Sequence, residues 1–364
     1  MKASLIVVLV LAACGDNAAK PDAAALDGQG SNSTDGGAQP LRAVTVAPSA
    51  SFGVPPGILS ALDLSTLAMR QNISAGVVGS DPVLKRIGNQ LFIVNRGENN
   101  VTVLDAETFT YVGQLGTGAG SNPQDVAVVA NKLYIPALGT SGVVVGKLGD
   151  TATTTIDLHA VLGTATAFPD CVAAYVVGTD VYIACENLDT NFQPASNGLV
   201  AVIDSETDTV RTHFSLPVKN PQSVMHQLPN NQLVVSTYDA ANGCIVAITP
   251  GETPTATCLA MNTALGGEPT TVELDGTKIW VAYTTDYTDG LLRAYDTTTS
   301  SFAAVATPAP QKIRDFAICR DGVMVVADFS GDGGLRVYDG THEVTTAAVP
   351  IGLKVGYGNG LTCY

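Results

Sequence analysis

Residues 89–129 read NQLFIVNRGENNVTVLDAETFTYVGQLGTGAGSNPQDVAVV. Three short runs, LFIVN (91–95), NVTVLD (100–105) and TYVGQL (110–115), alternate apolar and polar side chains with the two-residue period of half-buried strands. A glycine-rich connection then leads to a fourth run, DVAVV (125–129), and the cycle restarts at Asn131. Self-similarity at 20–50 residues marks a repeat architecture.

Working outward, the apolar run recurs at Val44–Val46, LFIVN at 91, LYIPA at 133, VYIAC at 181, LVVST at 233, IWVAY at 279 and MVVAD at 324, seven copies spaced 42 to 52 residues apart. A glycine-rich loop and a second strand follow each copy. That strand usually ends on Asp before a Thr-rich turn: ALDLSTLAM (61–69), VLDAETFTYV (103–112), VIDSETDTV (202–210), AYDTTTSSF (294–302) and VYDGTHEV (337–344). Asp forms such turns because its side chain accepts nearby backbone N–H groups. The third and fifth units (GVVVGKLGDTATTTI, CIVAITPGETPTATC) replace that Asp. Proline recurs at 82, 123, 169, 221 and 269, before the innermost strand, where it stiffens the approach without removing a ladder hydrogen bond.

Four strands per unit, repeated seven times, predict an all-β seven-bladed β-propeller of four-stranded antiparallel blades. The units resemble YVTN-type repeats, a resemblance carried by LFIVN and LYIPA and covering residues 42–364. It implies the fold and is silent on chemistry. The chain enters at Arg42–Val46, the second strand of a blade, and ends on NGLTCY (359–364), which matches an innermost strand. The C-terminal strand is therefore expected to pair with the N-terminal ones and remove the free edges.

The amino terminus has Lys2, a short apolar run LIVVLVL (5–11) and then LAAC ending on Cys14. This resembles a bacterial lipoprotein signal, which implies a signal peptide over 1–13 and a lipidated Cys14. Gly15, not Asp, follows the cysteine, which points to the outer membrane. Residues 15–40 are rich in Ala, Gly, Asp and Ser with no aromatic residue, the composition of a flexible tether, and the propeller is assigned to 41–364. A net charge of −15 argues against nucleic acid as a partner, because phosphate contacts require Lys and Arg.

Six further cysteines in an exported chain suggest disulfides. Cys171 and Cys185 lie on the first two strands of one blade, equidistant from the turn at Gly178. Cys244 and Cys258 flank the Thr249–Gly251 turn in the same mirror-image way, and Cys319 and Cys363 remain, on innermost strands of neighbouring blades. The last pairing rests on elimination, and blade spacing could exceed disulfide reach.

In a four-stranded blade, the loop between strands two and three and the loop leading into strand one open on the same, upper face. The sequence places Asp81, Arg96, Asp125, Asp170, Glu186, Asp239, Glu268, Asp315 and Asp328 there, predicting an acidic funnel. Clustered oxygens of this kind are what calcium takes, although DFSGDGG (328–334) and TDYTDG (285–290) lack the spacing of an EF-hand loop. The opposing expectation is that these carboxylates cap turns. No CxxCH, HExxH or GxSxG element is present, and the single Trp280 sets the chain apart from quinoprotein alcohol dehydrogenases with their repeated tryptophans. Trp280 is expected to pack between blades. The resulting expectation is a monomeric, lipid-anchored binding module whose acidic face meets a protein, glycan or cation. A propeller hydrolase or lyase of the lactonase kind, with a metal or carboxylates in the funnel, is the alternative, and an inert structural envelope protein is a third reading.

Overall fold

The computed structural model describes residues 41–48, 56–286, 289–303, 312–340, 342–354 and 359–364. The expected signal peptide, Cys14 and tether lie outside the described residues.

Seven four-stranded antiparallel sheets follow one another as blades. From blade 1 to blade 7 the inner strands are Leu361–Cys363, Pro82–Ile87, Ala127–Val129, Cys171–Val177, Pro221–Gln227, Glu268–Asp275 and Ile313–Ile318. All seven apolar runs read from the sequence are second strands. LYIPA shows why they are apolar throughout: Leu133 and Ile135 pack into the core shared with blade 2, while Tyr134 between them packs into the core shared with blade 4. A strand sends alternate side chains to opposite faces, and in a ring of blades both faces are buried. Trp280 packs against the cluster of Ala282, Leu292, Phe316 and Val326 between blades 6 and 7.

The Asp residues at the strand ends do what their position requires. Asp63 accepts from Ser65 N and Thr66 N, Asp105 from Glu107 N and Thr108 N, Asp204 from Glu206 N, and Asp296 from Thr298 N. The third unit substitutes Asp150, three residues later, which accepts from Lys147 N.

Blade 1 is composite, with sheet order Leu361–Cys363, Arg42–Ala47, Ile58–Asp63, Met69–Ile73. Ala43, Val44 and Thr45 pair with Cys363, Thr362 and Leu361, and Arg42 and Tyr364 exchange backbone hydrogen bonds of 2.7 and 2.9 Å. Three disulfides close: Cys171–Cys185, Cys244–Cys258 and Cys319–Cys363. The third joins Cα atoms only 5.1 Å apart, because the closing strand lies directly beside blade 7, so blade spacing is no obstacle. The mirror symmetry expected of the second pair is corrected. Cys244 stands opposite Met261 and Cys258 opposite Val246, because the hairpin is centred on Glu252, with Thr249 opposite Thr255, and a bulge between Ile245 and Val246 adds one more residue of offset.

Inner strands carry bulges too, between Cys171 and Ala173, Pro221 and Met225, Pro269 and Thr271, and Ile313 and Asp315. Each sits in the upper half of its strand and re-aims the side chains at the head of the central channel.

Candidate functional site

The nine upper-face residues separate by what their side chains hold. Asp239 accepts from Ala241 N and Asn242 N and closes its own loop. Asp328 is buried and accepts from Ser330 N and Arg336 Nε, the latter at 2.7 Å. Glu268 begins the inner strand of blade 6, opposite Thr284. Asp315, buried in blade 7, accepts from Gly360 N at 2.7 Å and Phe316 N at 2.9 Å, which ties blade 7 to the closing strand. Burial nevertheless pushes its carboxyl up to about 7.

Asp125 belongs to a buried staple across three blades. Lys85 Nζ, from the inner strand of blade 2, reaches Asp125 Oδ1 and Oδ2 at 2.9 and 3.0 Å and the Ala174 carbonyl of blade 4 at 3.1 Å. Asp125 also accepts from Val126 N and Ala174 N. Burial pushes its carboxyl up, while the Lys85 charge and these donors pull the other way.

Asp81, Arg96, Asp170 and Glu186 form the remaining group, at the mouth of the channel. Arg96 Nη1 stands 3.7 Å from Asp81 Oδ1, and its Nε is buried without a hydrogen-bond partner. Asp170 Oδ2 accepts from Leu188 N at 3.0 Å. Glu186 follows Cys185, and its backbone N–H is held by the Asp170 carbonyl at 2.9 Å, so the Cys171–Cys185 disulfide fixes the two carboxyl-bearing loops side by side. The Glu186 residue is 9% exposed, and its carboxyl accepts no hydrogen bond from the described residues. Burial, and then the neighbouring Asp170 charge, push it up to about 8, with Arg96 acting weakly in the opposite sense. An unpaired carboxyl in low dielectric keeps its proton, which is the physical content of that shift.

This gives a pH-dependent expectation. Between about 4.5, the ordinary value, and about 8 the native chain holds a proton on Glu186 that the unfolded chain has lost, so stability falls as pH rises through that window. Glu186→Gln removes the dependence. Urea unfolding at pH 4.5, 7 and 9 should show the variant gaining on the wild type with pH, by at most about 1.4 kcal/mol per pH unit and a few kcal/mol in all. A difference that stays constant with pH would refute it.

Sequence reasoning missed the layer below the mouth. Lys85, His226 and Glu273 pair with the second residue of the apolar runs LFIVN, LVVST and IWVAY (Phe92, Val234 and Trp280), and so share one level of the channel. His226 is buried, its Nε2 has no partner, and burial followed by the Lys85 charge lowers it to about 4. Burial and then the Asp315 charge push Glu273 well above the carboxylate range. The signal was the pairing position within each blade, which the bulges conceal when offsets are counted from the prolines. Among the described residues no three His, Cys, Asp or Glu side chains form a group that could hold a metal ion.

No protein-family model matches the chain, and no curated protein matches it. Solved structures do. AztD from Citrobacter koseri superposes with a TM-score of 0.56 at 11% identity, covering 89% of this chain and 98% of that one. A quinoprotein alcohol dehydrogenase-like protein from Bacteroides thetaiotaomicron gives 0.55 at 11% identity over 85% and 76%. Virginiamycin B lyase from Staphylococcus aureus, in a catalytically inactive form with quinupristin, gives 0.54 at 10% identity over 76% and 86%. At these identities the likeness is one of fold: the chain is a seven-bladed β-propeller whose neighbours differ in role. No helix among the described residues is long and apolar enough to cross a membrane, and three disulfides are the mark of a chain that folds in an oxidising compartment.

Proposed function

We propose that the protein is a binding module of the cell envelope, built of YVTN-type blades, held at the outer membrane through a lipidated Cys14 and engaging its ligand with the upper loops of blades 4 and 5. One observation carries this reading. Of the eight exposed large apolar side chains among the described residues, five (Val161, Phe168, Phe192, Tyr238 and Met261) stand on that face, on the loops and connections around blades 4 and 5. Phe192 is 79% exposed at the tip of the Glu186–Asn197 loop, and Phe168 is 47% exposed two residues before Asp170. Clustered exposed aromatics on a rigid ring beside shielded polar groups are the composition of a binding surface.

The test compares wild type with the double variant Phe168→Ser/Phe192→Ser, immobilised and exposed to purified envelope proteins and glycans. A ligand retained by the wild type should bind the variant at least about tenfold more weakly, since each truncated anchor costs about 1–2 kcal/mol. Equal binding would overturn the assignment of this face. A second reading, a hydrolase or lyase, draws on the same Glu186, which is placed to act as a general acid beside Asp170. It requires turnover of a lactone that disappears in Glu186→Gln.

A further inference from the structure

We propose that the mouth between Arg96, Asp170 and Glu186 receives the ammonium or guanidinium head of a lysine or arginine side chain from a basic polypeptide, with Phe168 and Phe192 packing along its stem. The proposal rests on the reading that the upper face binds, and names the chemistry it recognises.

Four observations lead to it. The Glu186 residue is 9% exposed, and among the described residues no donor reaches its carboxyl, whose oxygens are not fully enclosed. A polar group in that condition waits for a donor. The mouth holds three carboxyls, Asp81, Asp170 and Glu186, against one guanidinium, Arg96, so a cation adds to it without excess positive charge. The surrounding chain carries a net charge of −15, which steers basic partners and repels acidic ones. Lastly, the two phenylalanines rise from the same two loops as the carboxyls, Phe168 before Asp170 and Phe192 beyond Glu186. Aromatic faces attract cations and cover the methylene stem of Lys or Arg.

The groups that face Glu186 are Asp170, from the loop entering the inner strand of blade 4, and Arg96, from the upper loop of blade 2. Docking a cation favours the ionised carboxyl, so at pH 7 Glu186 must give up the proton it holds. Binding of a lysine or arginine side chain is therefore coupled to release of about one proton at pH 7 and to almost none at pH 9.5. A neutral glycan on the same surface would release none.

The experiment is isothermal titration of the protein with an N-acetylated, C-amidated decapeptide of alternating lysine and glycine. Titrations run in phosphate and in Tris at pH 7, and the difference in heat gives the protons exchanged. A peptide with norleucine in place of lysine is the control. The expected result is release of about 0.9 proton per bound peptide, loss of that release and at least tenfold weaker binding in Glu186→Gln, and no binding of the norleucine peptide. Asp170→Asn should weaken binding while leaving proton release measurable. Binding without proton release, or binding unchanged in Glu186→Gln, would overturn the proposal, as would no binding at millimolar peptide. If Phe192→Ser weakens retention of an envelope ligand while the lysine peptide fails, the upper-face reading stands and the cation does not. If neither variant alters any binding, both fail.

Discussion

Deletion of residues 358–364 is expected to lower the stability of the entire ring by more than about 5 kcal/mol. The six described residues in that segment contain the inner strand of blade 1, Leu361–Cys363, and close the circle from several directions. Gly360 bonds Val46 and Asp315, Asn359 accepts from Leu84, Tyr364 exchanges hydrogen bonds with Arg42, and its hydroxyl donates to the Ala106 carbonyl of blade 2. Arg86 stacks on the Tyr364 ring at 4.4 Å. Cys363 adds the disulfide to Cys319 across 44 residues, and loss of a native disulfide alone costs about 2–5 kcal/mol. Without the segment, blade 1 has three strands and an open edge, and blades 7 and 2 lose the partner between them. The single Trp280, packed at the junction of blades 6 and 7, reports urea unfolding by fluorescence. Cys363→Ser separates the disulfide from the strand: it should account for about 2–5 kcal/mol of the loss, and the truncation for more. An unchanged midpoint in the truncation would mean that the ring does not depend on its closure.

The second large effect concerns the staple below the mouth. Lys85→Met should cost about 3–5 kcal/mol, because it strands the Asp125 carboxylate in the interior with only the Val126 and Ala174 N–H groups to hold it. The double variant Lys85→Met/Asp125→Asn should recover part of that loss, since it removes the stranded charge while the amide oxygen still accepts from one of the two buried N–H groups. The measurement is a double-mutant cycle from urea midpoints. Additive single and double effects would show that the two side chains are not energetically coupled. Lys85 and Asp125 are 7% and 2% exposed, so salt should change the result little.

The sequence was most legible where physics repeats. The second strands are buried on both faces in every blade, so LFIVN, LYIPA and their counterparts recur as apolar runs that announce seven blades. The Asp-to-Thr turns are equally local: Asp105 and the N–H groups of Glu107 and Thr108 lie within three residues of each other. The Cys171–Cys185 pair follows from register within one hairpin. What could not be read is set by contacts between blades. Asp125, Asp170, Asp239 and Asp328 look alike as residues after a strand or before one. Only the fold reveals that Asp125 meets a lysine from blade 2, that Asp328 meets Arg336, that Asp239 closes its own turn, and that Asp170 is left to crowd Glu186. The level shared by Lys85, His226 and Glu273 was hidden because their inner strands are shifted by different amounts: not at all in blade 2, by two residues in blade 5 and by one in blade 6.

The composite first blade also sets the face on which the described chain enters the ring. Arg42 pairs with Asp63 at the turn side of blade 1 and exchanges hydrogen bonds with Tyr364, and its Nη1 reaches the Glu107 carbonyl in the corresponding turn of blade 2. All of these contacts lie on the face opposite the mouth. The strand then climbs to Ala47, towards the loops of the upper face. The amino-terminal side of the ring is thus entered from beneath, on the face opposite the one that carries Phe168, Phe192 and Glu186.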